Sequence, residues 1–256
     1  MKNIVYYLLI IFFLGSCEQT TTSPNTSSTK NQAGLSNSGS GIGGSTARFT
    51  IAQAHLYIAT EDRLFTYDLS NPAIPTFQTK HELSGVETIF SLDNYLYLGT
   101  QNGVLIFDIS NPNQPHQIST YPHITSCDPV IAKGNYAYST LRTNSNQPCW
   151  RGINSLDIID ISNKKNPTQV ARVNLTGPIG LGIYQNDLYI CDDNQIKHFK
   201  VDQPESPNYA GTTPLDGCFD IIIQDQLLIA VSSKGIHQFS IESNGTLTKL
   251  STILTK

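Results

Sequence analysis

The sequence predicts an all-β fold built of repeated units, and three observations support this prediction. A phrase recurs along the chain: DLSNP begins at Asp68, DISNP at Asp108 and DISNKKNP at Asp160. Each copy follows short apolar and aromatic segments, many with the period-two alternation that is typical of strands. No segment shows a sustained helical stripe of apolar residues. Four strands in each repeat of about 40 residues match a β-propeller blade, so we predict a five-bladed β-propeller of four-stranded antiparallel repeats.

The strands are predicted in the same order in every repeat. The second strand is an apolar and aromatic segment that occurs five times: HLYIAT at His55, YLYLGT at Tyr95, NYAYST at Asn135, DLYICD at Asp187 and QLLIAV at Gln226. A tight turn such as TQNG leads into the third strand, and a weaker fourth strand follows the Asn-Pro turn. The repeats start near Ala47, Glu87, Cys127, Ile179 and Cys218. Five such repeats can stack into one domain and close a ring.

The recurring phrase is interpreted as a turn. Asp, Ser and Asn side chains form hydrogen bonds with their own backbone in turns, and Pro is tolerated in an edge strand. DISNP therefore ends the third strand, turns the chain and begins the fourth. An Asp ligand in each repeat is the alternative, but turn chemistry alone explains these residue types.

The repeat pattern resembles the LVIVD-repeat family, in which units of the form LYIA…GLxIxDISNPxxP build propeller-like blades in exported bacterial proteins. The resemblance covers roughly residues 46–252. It implies the repeat type and the fold, and it implies no single reaction. The repeats of WD40 proteins are a poorer match, because their Gly-His and Trp-Asp pairs are absent here.

The first 17 residues predict a signal peptide. Lys2 is followed by an apolar run from Ile4 to Leu14, which is shorter than the about 20 residues of a membrane span. Leu14-Gly15-Ser16-Cys17 resembles the lipobox of bacterial lipoproteins, which implies cleavage before Cys17 and its diacylation. A buried first helix carrying Cys17 by chance is disfavoured, because the polar tract that follows gives it nothing to pack against. Residues 18–45 are rich in Ser, Thr, Asn and Gly and predict a flexible tether, and residues 46–256 form the propeller domain.

The lipobox also predicts location and partners. Lipidation at Cys17 implies attachment to a membrane in the cell envelope, because more than one acyl chain gives stable anchoring. Glu18 follows the lipid cysteine, and in bacterial lipoproteins an Asp there would favour inner-membrane retention, so we expect the outer membrane. The net charge is -4 and there is no basic run, so we expect no nucleic-acid partner.

Four cysteines remain after Cys17, and an even number in an exported chain predicts two disulfides. Four cysteines allow three connectivities, and the sequence alone cannot choose among them. The repeat alignment narrows the choice, since it places all four cysteines on one face of the domain. We expect the pairs Cys127–Cys149 and Cys191–Cys218.

The third repeat contains an insertion from Arg142 to Asn154 between its second and third strands, on the same face. Long loops on a rigid scaffold commonly bind partners, and aromatic and Arg residues are favoured at contact hot spots. An alternative is that Trp150 covers a disulfide and packs on its own blade. Acidic residues predicted on this face can form a cation or sugar site, or are scattered surface carboxylates. The candidate binding residues are Arg142, Trp150, Arg151, Glu87, Asp128, Asp192 and Asp193.

We expect a binding or scaffold module that recognises a protein or a glycan through this loop-rich face. The alternative is an extracellular hydrolase or lyase that acts on a polymer with carboxylates at the channel mouth. The sequence contains no Gly-x-Ser-x-Gly, His-Glu-x-x-His, P-loop or dinucleotide motif. We therefore expect no catalytic constellation, no metal site and no cofactor.

Overall fold

The computed structural model describes residues 44–123, 129–143 and 153–255. Within these ranges the chain forms twenty β-strands and no helix, which confirms the predicted all-β class. The strands build five four-stranded antiparallel sheets, and each sheet contains four consecutive strands. We call these sheets blades 1 to 5 in chain order.

The strand order within each blade is the predicted one. Blade 1 contains β1 (Phe49–Ala52), β2 (His55–Ala59), β3 (Arg63–Asp68) and β4 (Thr76–Glu82). Blade 2 contains β5 (Val86–Leu92), β6 (Tyr95–Thr100), β7 (Gly103–Asp108) and β8 (His116–Pro122). Blade 3 contains β9 (Val130–Lys133), β10 (Tyr136–Leu141), β11 (Ser155–Asp160) and β12 (Thr168–Asn174). Blade 4 contains β13 (Pro178–Tyr184), β14 (Asp187–Asp192), β15 (Gln195–Lys200) and β16 (Asn208–Pro214). Blade 5 contains β17 (Cys218–Gln224), β18 (Leu227–Ser232), β19 (Gly235–Ile241) and β20 (Leu247–Leu254).

Bulges recur at the same positions in different blades. The third strand meets the fourth at a register shift in all five blades. The first strand carries another shift in blades 2, 4 and 5. A bulge increases the local twist and re-aims the side chain of the extra residue. In blade 2 that residue is Glu87, which lies between the paired residues Val86 and Thr88.

Four hydrophobic clusters lie between consecutive blades and form the core. Because side chains alternate along a strand, each blade has an incoming face toward the preceding blade and an outgoing face toward the next. In blade 2, Leu98 packs on the incoming face and Tyr97 on the outgoing face, and both are fully buried. Blades 2 to 4 therefore each bury two apolar faces, which explains why their central strands are apolar almost throughout.

Blades 5 and 1 do not share a fifth cluster of this kind among the described residues. Phe49 and Ile51 on the incoming face of blade 1 are mostly exposed, and so is Ile253 on the outgoing face of blade 5. The ring closure that five repeats allow is therefore not made by apolar packing between these two faces in the described part of the chain.

The recurring phrase forms the predicted turn. Its aspartates each accept a hydrogen bond at 2.7 Å from the backbone N–H two residues later: Asp68 from Ser70, Asp108 from Ser110 and Asp160 from Ser162. Hydrogen bonds from Ser162 lower the pKa of Asp160, which favours the ionised carboxylate in the turn. These carboxylates therefore accept hydrogen bonds from the backbone of their own turns, as the turn interpretation requires.

The turn that follows the third strand also contacts the preceding blade, a contact that we call the clasp. The Tyr57 hydroxyl in blade 1 donates to the carbonyl of Pro112 in the blade 2 turn, at 3.2 Å. The Tyr189 hydroxyl in blade 4 donates to the carbonyl of Gly245 in the blade 5 turn, at 2.8 Å. Related polar contacts join the other two interior pairs: Lys164 lies over the Tyr95 ring, and the Tyr136 hydroxyl donates to Glu205. The repeated phrase therefore both turns the chain and joins neighbouring blades.

A disulfide links blade 4 to blade 5. It joins Cys191, near the end of β14, to Cys218 at the start of β17, and both residues are buried. This confirms one of the two expected pairs. Cys127 and Cys149 lie outside the described residues, so their pairing stays a prediction.

Candidate binding site at the channel mouth

The first strands of neighbouring blades contact each other, so they line the centre of the blade arrangement. A cavity of about 260 Å³ opens at the end of this channel where the first strands start and the second strands end. Its lining comes from blades 1 to 4: Thr46, Arg48, Glu87, Thr88, Pro129, Arg142, Pro178 and Ile179. We call it the mouth cavity. It lies on the face where the sequence placed the insertion.

Among the described residues, three charged side chains line the mouth cavity. Glu87 and Arg142, both predicted as candidate residues, are brought together here from blades 2 and 3. Glu87 reaches the cavity because it occupies the bulge of β5. Arg48 is the third, and its Nη1 donates to the carbonyl of Val86 at 3.3 Å. Two guanidinium groups and one carboxylate thus surround a small opening.

Sequence analysis did not single out Arg48. Arg48 occupies in blade 1 the position that Thr88 occupies in blade 2. The residues that follow them, Phe49 and Ile89, pair with equivalent positions of the second strand. Glu87 was placed on this face by its position at the start of a repeat. The same criterion, applied to the first repeat, would have identified Arg48.

Asp192 has a structural role. Its carboxylate is fully buried and accepts hydrogen bonds from the backbone N–H groups of Thr176 at 2.9 Å and Gly177 at 2.6 Å. It also forms an ion pair with Lys197 at 2.5 Å. A buried carboxylate with this set of partners holds the turn before β13 and is not presented to a ligand. Asp193 is exposed in the following turn, with a positive φ of 59°.

Three other predicted contact residues, Asp128, Trp150 and Arg151, lie outside the described residues. Their place near the mouth cavity stays a prediction. The described ends of the insertion are next to the cavity, because Arg142 lines it and the backbone N–H of Thr143 donates to the Asn154 side chain at 2.9 Å.

The segment that leads into blade 1 is fixed across the channel. The Ser45 hydroxyl donates to Asp220 Oδ1 at 3.2 Å, and the Thr46 hydroxyl donates to Asp220 Oδ2 at 2.6 Å. Ser45 also accepts the backbone N–H of Leu181 in blade 4, at 2.8 Å. Gly44 lies so close that a Cβ there would be 2.1 Å from Asp220 Oδ2. Ser45, which the sequence assigned to the tether, is therefore buried against blades 4 and 5.

Burial raises the pKa of Asp220, and hydrogen bonds from Thr46, Ile221 and Ser45 oppose this effect in part. The carboxyl group holds Thr46 and so positions one wall of the mouth cavity.

A second cavity of about 280 Å³ lies farther along the channel, and its lining comes from blades 2, 3, 4 and 5. Its walls are mainly aliphatic, with Lys133 and Asp225 among the lining residues. Burial lowers the pKa of Lys133, whose ammonium donates to the carbonyl of Gln185. The second cavity contains fewer convergent charged groups than the mouth cavity. We therefore place the candidate site at the mouth cavity.

The described part of the chain contains no group of three or more His, Cys, Asp or Glu residues that could hold a metal ion. It also has no helix long and apolar enough to span a bilayer.

Comparison with known proteins supports the repeat type and the fold. The LVIVD repeat matches residues 43–81, 88–122 and 152–175. These matches correspond to blades 1 and 2 and the second half of blade 3, and the expected repeat type is thus found. No curated protein matches the chain.

Solved structures share the arrangement of blades at low sequence identity. The periplasmic gluconolactonase of Pseudomonas aeruginosa is 14% identical, with a TM-score of 0.63, over 78% of this chain and 67% of that one. A protein from Lactobacillus plantarum is 14% identical, with a TM-score of 0.67, over 79% and 68%. A functionally unknown protein from Desulfotomaculum acetoxidans is 11% identical, with a TM-score of 0.64, over 79% and 67%. At these identities the likeness shows the β-propeller fold alone.

Proposed function

We propose that this chain is a binding module of the bacterial cell envelope, anchored by a lipidated Cys17, that recognises a protein or a glycan at the mouth cavity. The observation that carries the proposal is the convergence of Arg48, Arg142 and Glu87 on one small opening formed by separate blades. Convergent charged groups in a concave site on a rigid scaffold are typical of ligand recognition.

The charges favour a carboxylate-bearing group as the ligand. Guanidinium groups bind carboxylates through paired N–H donors, and such charge-assisted bonds are about twice as strong as neutral ones. Glu87 can accept a hydrogen bond from a hydroxyl or amide of the same ligand. A uronic acid residue of a glycan and an acidic residue of a protein both present this combination.

Hydrolase or lyase activity is the alternative function. A glycosidase of the usual kind needs two carboxyl groups about 5–10 Å apart. Of the described residues that line the mouth cavity, Glu87 alone supplies a carboxylate. The likeness to a gluconolactonase at 14% identity does not assign that protein's activity to this chain. Binding is therefore the better supported function.

Binding of defined acidic probes tests the proposal. The probes are a polygalacturonate oligomer and a Glu-rich peptide, with a neutral dextran oligomer as comparator. We expect one acidic probe to bind. Arg142→Gln and Arg48→Gln should each weaken its binding about ten- to hundredfold, because each substitution removes one hydrogen bond to a charged group. Isothermal titration calorimetry gives the affinities.

Arg63→Gln is the matched control, because Arg63 lies outside the cavity and forms an exposed ion pair with Glu82 at 3.1 Å. It should leave the affinity unchanged. Equal losses for Arg63→Gln and Arg142→Gln would mean that the probe binds by general charge attraction, and the mouth cavity would be rejected as the site. Failure of both acidic probes to bind would reject the carboxylate chemistry.

A further inference from the structure

The second cavity lies at the end of the channel opposite the mouth cavity. The first strands of blades 2 to 4 start at the mouth cavity and end at the second cavity, where Leu92, Lys133 and Tyr184 are the last residues of β5, β9 and β13. Its volume of about 280 Å³ is close to the lower limit of small-molecule pockets, about 300 Å³. The function proposed above makes no use of this cavity.

The walls of the second cavity are apolar and keep part of their surface outside the core. Four of the lining side chains pack against the core clusters between blades but are only partly buried: Phe90, Leu92, Ile183 and Ile223. An apolar chain inside the cavity would remove this remaining surface from water, which favours binding.

A single cation borders this apolar space. Among the described residues that line the second cavity, Lys133 alone carries a positive charge. Its ammonium donates to the carbonyl of Gln185, an exposed residue. Both residues also line a groove of about 430 Å³ between blades 3 and 4. The charge of Lys133 therefore lies where the apolar cavity opens toward solvent.

No carboxylate among the described residues forms an ion pair with this ammonium. Burial lowers the pKa of Lys133, and Asp187 opposes the effect in part. Asp187 itself already forms an ion pair with Lys200 at 2.6 Å and a hydrogen bond with His198. The carboxylates that line the cavity or the groove are exposed, so water and salt screen them: Asp225, Asp202 and Glu205. An anionic group beside Lys133 would supply the missing counter-charge.

Tyr184 supplies a second hydrogen-bond donor at the same end of the cavity. It lines the cavity, and its hydroxyl accepts a hydrogen bond from Gln185 Nε2 at 3.2 Å. The hydroxyl proton of Tyr184 can then be donated to an anion. Hydrogen bonds from an ammonium and a hydroxyl to a carboxylate are charge-assisted and therefore strong.

We propose that the second cavity binds a medium-chain fatty acid, with its carboxylate beside Lys133 and Tyr184 and its aliphatic chain inside the cavity. A sugar is disfavoured, because the aliphatic walls leave its hydroxyl groups without hydrogen-bond partners. A neutral alcohol of the same length would fill the cavity but leave Lys133 without a counter-charge. The small volume favours a medium chain over a long one.

Isothermal titration calorimetry of the full-length chain in phospholipid nanodiscs tests the proposal with octanoate, and empty nanodiscs serve as the blank. We expect saturable binding of one octanoate per chain. Hexanoate is shorter by two CH₂ groups and should bind about 15-fold more weakly, because each buried CH₂ group contributes about fourfold. Absence of saturable binding above the blank would overturn the proposal, as would equal affinities of the two acids.

Lys133→Met tests the contact with the carboxylate and keeps an unbranched apolar side chain in the wall. It should weaken octanoate binding about ten- to hundredfold and leave the affinity for octanol, which has no charge, nearly unchanged. Lys234→Met is the matched control, because Lys234 lies outside the cavity in an exposed ion pair with Asp216 at 2.6 Å. An equal loss for octanol would show that Lys133 acts on the shape of the cavity and would overturn its role as the carboxylate partner.

Two filling variants locate the bound octanoate. Ile223→Trp and Leu92→Trp enlarge side chains on different walls and should each abolish octanoate binding. Circular dichroism checks that each variant unfolds cooperatively, and either folded variant is sufficient for the test. Octanoate is itself a carboxylate that the arginines of the mouth cavity favour. Parent-like octanoate binding in a folded filling variant would place octanoate outside the second cavity and overturn the proposal.

Discussion

Buried aspartates in this protein show how the environment of a residue decides its role. Asp157 is buried and accepts two hydrogen bonds from Arg172, at 2.6 and 2.5 Å. Asp192 is paired with Lys197. Asp220 differs from both, because its hydrogen-bond partners in the described part of the chain are hydroxyl and N–H groups, with no cation among them. Removing a carboxylate from water without a counter-charge disfavours its ionised form.

The stability of the protein should therefore depend on pH through Asp220. Burial raises its pKa in the folded state above that of the unfolded chain. Its contribution to stability is then fully present below the unfolded pKa of about 3.9 and is lost as pH rises through the folded pKa. Asp220→Asn has no such loss. We expect the free energy of unfolding of Asp220→Asn, measured relative to the parent in urea titrations, to increase from pH 4 to pH 7.

Asp225→Asn is the control for this comparison, since Asp225 is an exposed aspartate in the same blade. The change with pH should be larger for Asp220→Asn than for Asp225→Asn. A constant difference between Asp220→Asn and the parent would show that Asp220 ionises as readily in the folded state as in the unfolded one.

At the scale of strands and blades, the fold follows from local signals in the sequence. The repeated phrase predicted both the turn and the period, because Asp68 and its counterparts form the turn through their own backbone. The clasp could not be predicted, since Tyr57 and Pro112 are 55 residues apart and meet only when two blades stack. The exposed end faces are equally non-local, because each copy of the repeat looks alike until its neighbours are known.

The candidate site was predicted in part, for a similar reason. Glu87 and Arg142 were identified from their positions relative to strand ends, and those positions depend on repeat alignment alone. The structural role of Asp192 was not foreseen, because it depends on contacts with Lys197 on the neighbouring strand and with the backbone of Thr176 and Gly177. The position of a residue along a strand therefore predicts the face of the molecule on which it lies. Its contact partners on that face are set by packing and are not predicted by position alone.

The disulfide between blades 4 and 5 should contribute measurably to stability. It closes a loop with a sequence separation of 27 residues. Loss of this constraint on the unfolded chain corresponds to about 3–4 kcal/mol. We expect the double variant Cys191→Ala, Cys218→Ala to lose this amount in guanidinium unfolding monitored by circular dichroism.

Peptide mapping without reduction accompanies that measurement and covers both expected pairs. Peptides joining Cys191 to Cys218 and Cys127 to Cys149 should be found. A peptide joining Cys127 to Cys218 would contradict the expected pairing, and an unchanged unfolding midpoint in the double variant would contradict the stabilising role.

At the scale of the whole molecule, the segment that leads into β1 connects the proposed anchor to the proposed site. Gly44 and Thr46 lie in the channel beside Asp220, and Thr46 lines the mouth cavity. The predicted tether thus joins the folded part beside the site. For a tether of the predicted length, about 28 residues, we expect a mean span of roughly 30 Å, which would keep the domain within reach of ligands near the membrane surface.

Anchoring through Cys17 is the premise of this arrangement and can be tested directly. The wild-type chain, expressed in a Gram-negative host, should sediment with membranes and carry acyl chains on Cys17, since more than one chain gives stable attachment. Cys17→Ala should abolish acylation, and a variant without residues 1–17, expressed in the cytoplasm, should stay in the soluble fraction. Cys191→Ala removes a different cysteine and should remain membrane-bound. If the variant without residues 1–17 still floated with membranes in a sucrose gradient, attachment would reside in the propeller itself and the lipid anchor would be rejected.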